Sequence, residues 1–450
     1  MVSKNAEQKQ LERLYQQDGN AMILLYGSIR SNKEQLLKDF LEGKQAFYYR
    51  ARNASQEEQL YHFHREVEQK YHMQMEKSYD DIFDHLRSKN QEKFVLVIDE
   101  YQNIARRDSA CFQSLLKLKK KRTGGIFIIL CNSSVAWTMK EMEECCGTDY
   151  KQIDMTMKLQ DATFLDVVRA FPSFKVEECV KTYGILGGVD RYLEYWNPRK
   201  SIRDNICEVI LDAKGPLHHE AEDFIGSELR ELSVYDTILS SIARGNEKLN
   251  DLHQDTGYSR AKISVYMKNL AAFDVIEKVV SFDTGGWSNA KKGVYRIKNH
   301  FIAFWFRFVY PHLSDLYMME PKEFYQAYIA RDLDDYLRRY FVDVCHEYLS
   351  LLNMMGKLPI HVQSMGTWIG KTGTIDVVGE DDVRNHIVGV CNWERPTITY
   401  EQYEKLQEDM ALARIKATTI YLFSAKSFDP RLVKLASEDE SVILVDMKEL

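Results

Sequence analysis

Proline is scarce in this sequence, with only 8 among 450 residues. That count is well below the roughly 5% typical of proteins, and it excludes collagen-like and proline-rich architectures. Apolar residues supply 45% of the chain, which excludes a broadly disordered polymer. The composition therefore indicates a globular, helix-rich protein, and its length is that of about three domains.

Long hydrophobic runs are also missing. The most apolar stretches, such as residues 21–26 and 126–131, are far shorter than the roughly 18–20 residues that span a bilayer. The start of the chain is polar and of mixed charge, so it lacks the apolar centre of a secretory signal. We therefore expect a cytoplasmic protein with no membrane-spanning helix.

Two further absences bear on metals and nucleic acids. The 8 cysteines include no C-x-x-C pair, which argues against zinc ribbons and disulfide frameworks and favours buried free thiols. Lys and Arg number 60 against 67 Asp and Glu, for a formal charge of −7. Because the chain as a whole has no basic excess, any contact with DNA has to be local.

Residues 1–163 alternate short apolar runs with polar segments of helical period. Four of the runs have the length and composition of buried strands: residues 22–26, 46–49, 94–98 and 126–131. Strands that alternate with helices indicate a parallel sheet of the three-layer α/β class. Ligands of such sheets bind at the carboxyl ends of the strands, so we expect the site there.

A phosphate-binding loop is predicted after the first of these strands. Gly27 and Lys33 match the pattern G-x-x-x-x-G-K-[ST], and strand, loop and helix follow in the order that the pattern requires. The second glycine is replaced by Asn32, which tolerates a left-handed backbone better than most side chains do. The hydroxyl that binds Mg²⁺ is replaced by Glu34, whose charge is expected to disfavour a triphosphate.

Two later strands end in groups that suit the chemistry of a nucleoside triphosphate. The run at 94–98 leads into Asp99 and Glu100; Asp99 is expected to hold Mg²⁺, and Glu100 to orient the attacking water. The alternative is a structural ion pair between Asp99 and Lys33. The run at 126–131 leads into Asn132, the position of a γ-phosphate sensor, although Asn and Ser are equally typical of a turn.

The strand pattern changes after residue 163. We predict a helical lid (164–232), a winged helix-turn-helix (233–300), an aromatic connector (301–329) and a second α/β domain (330–450). Gly187 and Gly188 indicate a turn in the lid, and Gly285 and Gly286 lie between the two strands of the wing. The third helix of the winged helix carries candidate DNA contacts: Arg260, Lys262 and Lys268. Strands of the last domain are expected at 374–378, 386–391, 418–423 and 442–445.

Six segments together carry a resemblance to a known family. They are YGSIRSNK (26–33), LVIDEY (96–101), ILCNSS (129–134), LGGVDRYL (186–193), FWFRFV (304–309) and TIDVV (374–378). In these segments the chain resembles the prokaryotic ATPases of the AAA/STAND-like group. Such proteins join a P-loop domain, a helical lid, a winged helix and a C-terminal domain of restriction-endonuclease type. The resemblance covers nearly the whole chain and implies ATP and Mg²⁺ as cofactors.

The departures from this family concentrate on catalysis. Its loop usually has the sequence G-R-R-R-V-G-K-T, which Arg30 and Lys33 match. The chain departs from that loop at Ser28, Ile29, Asn32 and Glu34. Family members also have an arginine after a glycine near the position of Gly147, where this chain has Thr148 and Asp149. The resemblance therefore implies impaired hydrolysis.

For the C-terminal domain, the resemblance implies a nuclease site that has lost residues. Nucleases of this fold bring an acidic residue on a helix, an Asp on one strand and Glu-x-Lys on the next around Mg²⁺. Glu347 and Asp376 match the first two positions. The family's Gly-Glu-Cys-Lys-Trp is GVCNW (389–393) here, so Val390 and Asn392 replace the Glu and the Lys. We therefore expect a packing and docking domain rather than a nuclease.

Three functions stay open on this sequence. The first, which we favour, is a regulator that binds ATP weakly and has lost most of its hydrolysis, a pseudo-ATPase. The second is an active ATPase with a non-standard P-loop, in which Lys33 binds the phosphates and Glu100 is the catalytic residue. The third is a non-catalytic scaffold that binds DNA through the winged helix, or binds another protein. The protein partner and the oligomeric state are not indicated.

Overall fold

A computed structural model describes residues 5–27, 30–72, 74–88, 93–121, 125–135, 137–228, 231–282 and 293–450. The described chain divides into two compact units. The N-terminal unit is the described part of 3–161 with 272–274, and the C-terminal unit is that of 162–271 and 275–450. Within the described ranges, every helix is too short or too polar to cross a bilayer.

The N-terminal unit is built on one parallel sheet in the order β2-β3-β4-β1-β5. Its strands are β1 (Ala21–Tyr26), β2 (Ala46–Arg50), β3 (Phe94–Asp99), β4 (Ile126–Asn132) and β5 (Met155–Lys158). Its helices are α1 (Asn5–Gln16), α2 (Lys33–Leu41), α3 (Gln56–Tyr71), α4 (Tyr79–Ser88), α5 (Gln102–Ala105), α6 (Ala110–Lys120) and α7 (Met142–Cys146). The four predicted strands are confirmed, and β5 is a fifth that its half-polar sequence did not reveal.

Burial on both faces explains why these strands are continuous apolar runs. Met22 and Leu24 pack into one hydrophobic core, whereas the alternate residues Ile23 and Leu25 pack into another on the opposite face of the sheet. All residues of β3 and β4 are buried. The N-terminal unit is therefore a P-loop NTPase-like α/β sandwich, and its polar chemistry is restricted to the ends of the strands.

The C-terminal unit begins with a helical segment. It comprises α8 (Phe164–Ala170), α9 (Val176–Leu186), α10 (Asp190–Glu194), α11 (Ile202–Asn205), which continues as a π-helix over Ile206–Leu211, and α12 (Glu220–Glu228). The predicted glycine turn is confirmed, because Gly187 ends α9 with a φ of 65°. At a positive φ, glycine avoids the steric cost of a side chain.

Three helices and an antiparallel strand pair follow: α13 (Leu232–Ala243), α14 (Leu249–Thr256), α15 (Arg260–Ala272), β6 (Ile276–Val280) and β7 (Gly293–Ile297). This order of elements is the one predicted for a winged helix-turn-helix. Gly285 and Gly286 lie outside the described residues. The identification as a winged helix, and the domain boundaries drawn from the sequence, stay predictions.

An aromatic core joins this segment to the rest of the unit. It lies along α16 (His300–Phe304) and the π-helix Trp305–Val309, followed by α17 (Leu313–Met318) and α18 (Pro321–Tyr328). Phe304 and Phe308 are buried, and both rings contact Tyr336 at centroid distances of 5.9 and 5.3 Å. The aromatic run is therefore core, as predicted.

The chain ends in a five-stranded sheet of order β14-β12-β10-β9-β8. Its elements are α19 (Leu333–Met354), β8 (Ser364–Ile369), β9 (Thr374–Glu380), β10 (His386–Asn392), α20 (Tyr400–Ala413), β12 (Ala417–Ser424), α21 (Pro430–Glu438) and β14 (Val442–Asp446), with a small pair of β11 (Thr397–Ile398) and β13 (Ser427–Phe428). β8, β9 and β10 are antiparallel, whereas β12 and β14 run parallel to β10. The second α/β sheet is thus confirmed, with β8 as an additional strand.

Candidate functional site

The register of the N-terminal sheet assembles the candidate site. Tyr26 at the end of β1 is level with Asn132 at the end of β4, and Arg50 at the end of β2 is level with Asp99 at the end of β3. Since all of these strands are parallel, their carboxyl ends meet at one edge of the sheet. The predicted phosphate loop and the two predicted acidic residues therefore share that edge.

The loop after β1 has the backbone that a phosphate loop needs, as far as it is described. A Cβ atom at Gly27 would lie 2.9 Å from the Ser31 hydroxyl oxygen and 3.0 Å from the Leu159 Cβ, so glycine avoids a clash there. Asn32 has φ 56° and ψ 29°, which confirms the predicted left-handed turn. Ser28 and Ile29, two of the departures from the family loop, lie outside the described residues.

Lys33 begins α2 and is the principal cation of the loop. Its side chain is buried, with 7% of the residue exposed, and Nζ has no hydrogen-bond partner among the described residues. Burial lowers the pKa of Lys33, an effect that the nearby Glu100 and Asp99 carboxylates oppose. Arg30, the other loop residue that matches the family, is also buried. Lys33 therefore lies buried near two carboxylates, and its ammonium group makes no hydrogen bond to the described residues.

Asp99, the predicted Mg²⁺ ligand, already has protein partners. Its Oδ2 accepts a hydrogen bond of 2.7 Å from the Tyr48 hydroxyl and lies 3.8 Å from Nε of Arg50. Burial and the bond to Asp99 raise the pKa of Tyr48, so its hydroxyl stays a donor. Oδ1 is buried without a hydrogen-bond partner in the described structure. The predicted Asp99–Lys33 ion pair is not among the salt bridges between described residues, and Asp99 is paired with β2 instead.

The negative charge of Glu34 is paired with a positive charge that the sequence did not indicate. Its Oε1 lies 2.9 Å from Nη1 of Arg50, and both side chains are more than half exposed. The guanidinium group offsets part of the charge of this exposed carboxylate, and the expected repulsion between Glu34 and a triphosphate stays a prediction. No sequence motif contains Arg50. Its position beside Asp99 depends on the pairing of β2 with β3, which the sequence pattern did not reveal.

Glu100 stands in a left-handed conformation, with φ 54°, directly after β3. Its Oε2 accepts hydrogen bonds from the Ser133 hydroxyl and from the Gln102 side-chain amide. A non-glycine residue with positive φ at a strand end is a common feature of functional sites. The geometry thus fixes the orientation of the residue that the sequence predicts to position a water molecule.

Asn132 ends β4 at the predicted edge, but its side chain is bonded within the protein. Its side-chain amide donates to the Thr138 hydroxyl at 2.6 Å, and its Oδ1 accepts from the Ser134 backbone N–H at 3.0 Å. The nitrogen and the oxygen of the amide are thus both hydrogen-bonded within the turn after β4. A turn is the alternative that the sequence left open. Ser133, one residue later, is the polar group of this strand end that contacts Glu100.

The predicted nuclease residues are engaged separately in the C-terminal unit. Glu347 accepts from the Phe164 backbone N–H at 2.7 Å and from the Tyr183 hydroxyl at 2.8 Å, so it caps α8. Burial raises the pKa of Glu347 in spite of these bonds. These bonds hold the Glu347 carboxylate against the helical segment, and its role beside Asp376 stays a prediction.

Asp376, on β9 of the same unit, has other hydrogen-bond partners. Its Oδ2 accepts from the Cys391 backbone N–H at 2.9 Å, and burial raises its pKa. It lines a cavity of about 590 Å³ together with Asp343, which is paired with Arg296 at 3.1 Å. No cluster of three or more His, Cys, Asp or Glu side chains suited to a metal occurs among the described residues.

The replaced nuclease positions on β10 have local roles. Val390 is half-buried, and the Asn392 side-chain amide donates to the carbonyl oxygen of Arg395 at 3.0 Å.

The candidate DNA contacts on α15 interact in part with neighbouring residues. Arg260 bonds to Asn250, and Nζ of Lys262 lies 4.2 Å from the centroid of the Tyr258 ring. Lys268 is exposed on the same helix.

Comparison with known proteins matches two parts of the chain. Residues 2–196 match an ATPase domain found predominantly in Archaea, and residues 305–427 match DUF234, a family of archaeal and bacterial proteins of unknown function. The uncharacterized protein MJECL04 of Methanocaldococcus jannaschii is 28% identical over 387 residues, which cover 85% of this chain and 84% of that protein.

Solved structures give weaker similarities. The Aeropyrum pernix ORC2 protein in its ADPNP-ADP complexes has a TM-score of 0.44 at 13% identity, over 73% of this chain and 95% of that one. A STAND protein with a tetratricopeptide repeat sensor from Pyrococcus horikoshii has a TM-score of 0.29 at 13% identity, over 78% and 50%. The fold assignment accordingly rests on the strand order and loop described above. The chain therefore carries an archaeal-type ATPase domain in residues 2–196 and a DUF234 domain in residues 305–427.

Proposed function

We propose that the N-terminal unit binds ATP at the loop between β1 and α2, and that the protein is a nucleotide-binding regulator with little hydrolysis. The observation that carries this proposal is the Lys33 ammonium group, which is buried and lacks a hydrogen-bond partner among the described residues. A buried ammonium group without hydrogen bonds is costly even near carboxylates, and phosphate oxygens would accept those bonds. The N-terminus of α2, a helix of nine residues, adds backbone N–H groups that favour the same anion.

Three features support slow hydrolysis rather than fast turnover. Glu34 replaces the hydroxyl of the loop, the Asn132 amide is bonded to Thr138, and Thr148 and Asp149 follow Gly147 where the family has an arginine. Each change removes a group that stabilises the transition state of phosphoryl transfer. Turnover is expected to fall below the roughly 1 s⁻¹ at the lower end of typical enzymes. Faster hydrolysis that Glu100→Gln abolishes would support the active ATPase instead.

For the C-terminal unit we propose a packing and docking role. Capping of α8 by Glu347 supports it, because a carboxylate that accepts two hydrogen bonds from the helical segment is no longer available beside Asp376.

DNA binding through α15 is a separate proposal that rests on Arg260, Lys262 and Lys268. It requires salt-dependent binding of a DNA duplex that weakens when Arg260 and Lys262 become alanine.

Lys33→Ala is expected to weaken ATP binding roughly 10- to 100-fold, since a hydrogen bond to a charged group contributes about 1.5–3 kcal/mol. Titration calorimetry of the purified protein with ATP measures this change. Lys117→Ala, which removes an exposed cation of α6 that pairs with Asp80, is the matched control and should bind as the wild type does. Equal affinity of the Lys33→Ala variant, or no binding by the folded wild type at millimolar ATP, would contradict the proposed function.

A further inference from the structure

Arg50, at the end of β2, lies between Glu34 and Asp99, the two positions that would flank a metal ion. In P-loop proteins, Mg²⁺ is held by the hydroxyl that follows the lysine and by the aspartate that ends the second motif strand. In this chain those positions are Glu34 and Asp99. Arg50 contacts both, with Nη1 at 2.9 Å from the Glu34 carboxylate and Nε at 3.8 Å from the Asp99 carboxylate.

The fold holds the guanidinium group there. Arg50 is level with Asp99 because β2 and β3 are neighbouring parallel strands, and Tyr48, two residues earlier, lies on the same face of β2. The Tyr48 hydroxyl donates to the same carboxylate oxygen, Oδ2, that faces Arg50. Burial alone would lower the pKa of Arg50, but Asp99, Glu100 and Tyr48 raise it above its usual value. The group is thus a permanent cation in the electrostatic field of the phosphate loop.

The described residues fit a phosphate but do not fit Mg²⁺. The ion requires near-octahedral oxygen ligands, which P-loop sites supply from a hydroxyl, an aspartate, phosphates and water. Here the hydroxyl is absent, Glu34 is paired with Arg50, and Oδ2 of Asp99 accepts from Tyr48, so Oδ1 is the one oxygen of the Asp99 carboxylate left without a hydrogen bond among the described residues, too few for such a site. A divalent cation at this position would also be repelled by the guanidinium group a few ångströms away. Lys33, in contrast, presents an unsatisfied ammonium group to an anion.

We propose that this protein binds nucleotide without Mg²⁺ and that the Arg50 guanidinium supplies the positive charge that the metal supplies elsewhere. This inference rests on the proposed function, because it concerns the same loop. It makes Arg50 a binding residue, with Glu34 and Tyr48 as positioning residues for it. It also explains the glutamate at position 34, which pairs with a fixed cation.

The test is titration calorimetry of the full chain with ATP, once in excess Mg²⁺ and once in EDTA. For the wild type, the two dissociation constants are expected to agree within about threefold. Arg50→Gln is expected to bind at least tenfold more weakly than the wild type in EDTA, and Mg²⁺ should recover part of that loss because Glu34 and Asp99 are then free to accept an ion. Arg52→Gln is the matched control, since Arg52 pairs with Glu66, and it should bind as the wild type does in both buffers.

The outcomes separate this inference from the proposed function. Wild-type binding that strengthens tenfold or more with Mg²⁺ would overturn the inference and leave ATP binding intact. Arg50→Gln binding as tightly as the wild type in EDTA would overturn it as well. Absence of wild-type binding in both buffers would refute the proposed function and the inference with it. The wild-type comparison uses no substitution, so it decides the question even if Arg50→Gln does not fold.

Discussion

Replacing Gly188 with alanine is expected to destabilise the C-terminal unit by about 3 kcal/mol, the upper part of the range for overpacked sites. A Cβ atom at Gly188 would lie 1.8 Å from the carbonyl oxygen of Ala162 and 2.6 Å from its carbonyl carbon. These are backbone atoms, so no side-chain rotation relieves the clash and the chain itself has to move. That movement would also disturb the 2.8 Å hydrogen bond from the Ala162 N–H to the Gly188 carbonyl.

Thermal unfolding measures this effect. Since the entropy of unfolding is about 2.1 cal/mol/K per residue, a loss of about 3 kcal/mol in a unit of roughly 290 residues lowers the Tm by about 5 °C. Gly226→Ala is the matched control, because a Cβ atom there meets no described atom within 4 Å and alanine favours the helical conformation of α12. A Gly188→Ala variant that unfolds at the wild-type temperature would show that the two backbone segments are not in such close contact.

The glycine pair illustrates what a sequence pattern can and cannot show. Two adjacent glycines predict a turn, and the turn is present, but the structure divides their roles. Gly187 ends α9 at a positive φ, whereas Gly188 allows a close approach to Ala162. The second role depends on a contact between chain segments that are separated in the sequence, which a local pattern does not contain.

The candidate site likewise contains residues that a local sequence pattern identifies and residues that it does not. Gly27, Lys33 and Glu100 were identified because the motif that contains them is local: a strand, a loop and a helix in order. Arg50 was missed because its place beside Asp99 follows from the pairing of β2 with β3, and strand order is a property of the whole sheet. The bonds of the Asn132 side chain within its turn were not predicted either, since a strand end does not reveal the direction of each polar side chain.

In the C-terminal unit, helix periodicity identified α19 but not the direction of each acidic side chain. Glu347 matched the family position, yet its carboxylate caps α8, while Asp343, one turn earlier, lines the cavity with Asp376. β8 was missed because its six residues are only partly buried and include a glycine, so the apolar signal of a strand is weak.

His300 is expected to make the C-terminal unit sensitive to acid. Its Nδ1 lies 2.7 Å from the Tyr183 carbonyl oxygen, and its ring packs 4.2 Å from that of Tyr340. Burial lowers the pKa of His300 from 6.5 to about 4, a shift that the bond to Tyr183 and the Asp343 carboxylate oppose and that Arg296 favours. The unfolded chain thus binds this proton at a higher pH than the folded chain does. The stabilisation is complete above about pH 6.5 and is lost progressively as the pH falls toward 4.

The expected loss from His300 is about 2 kcal/mol in the free energy of unfolding between roughly pH 7 and pH 5, from the linkage of one proton. Denaturant titrations across that interval measure it. His300→Asn keeps a donor for the Tyr183 carbonyl but does not titrate, so its free energy of unfolding should depend less on pH than that of the wild type. The two curves should therefore converge as the pH falls, even though the variant loses the ring contact with Tyr340 and starts lower. Parallel curves would show that acid acts on other groups, because the constant offset between them would then reflect packing alone.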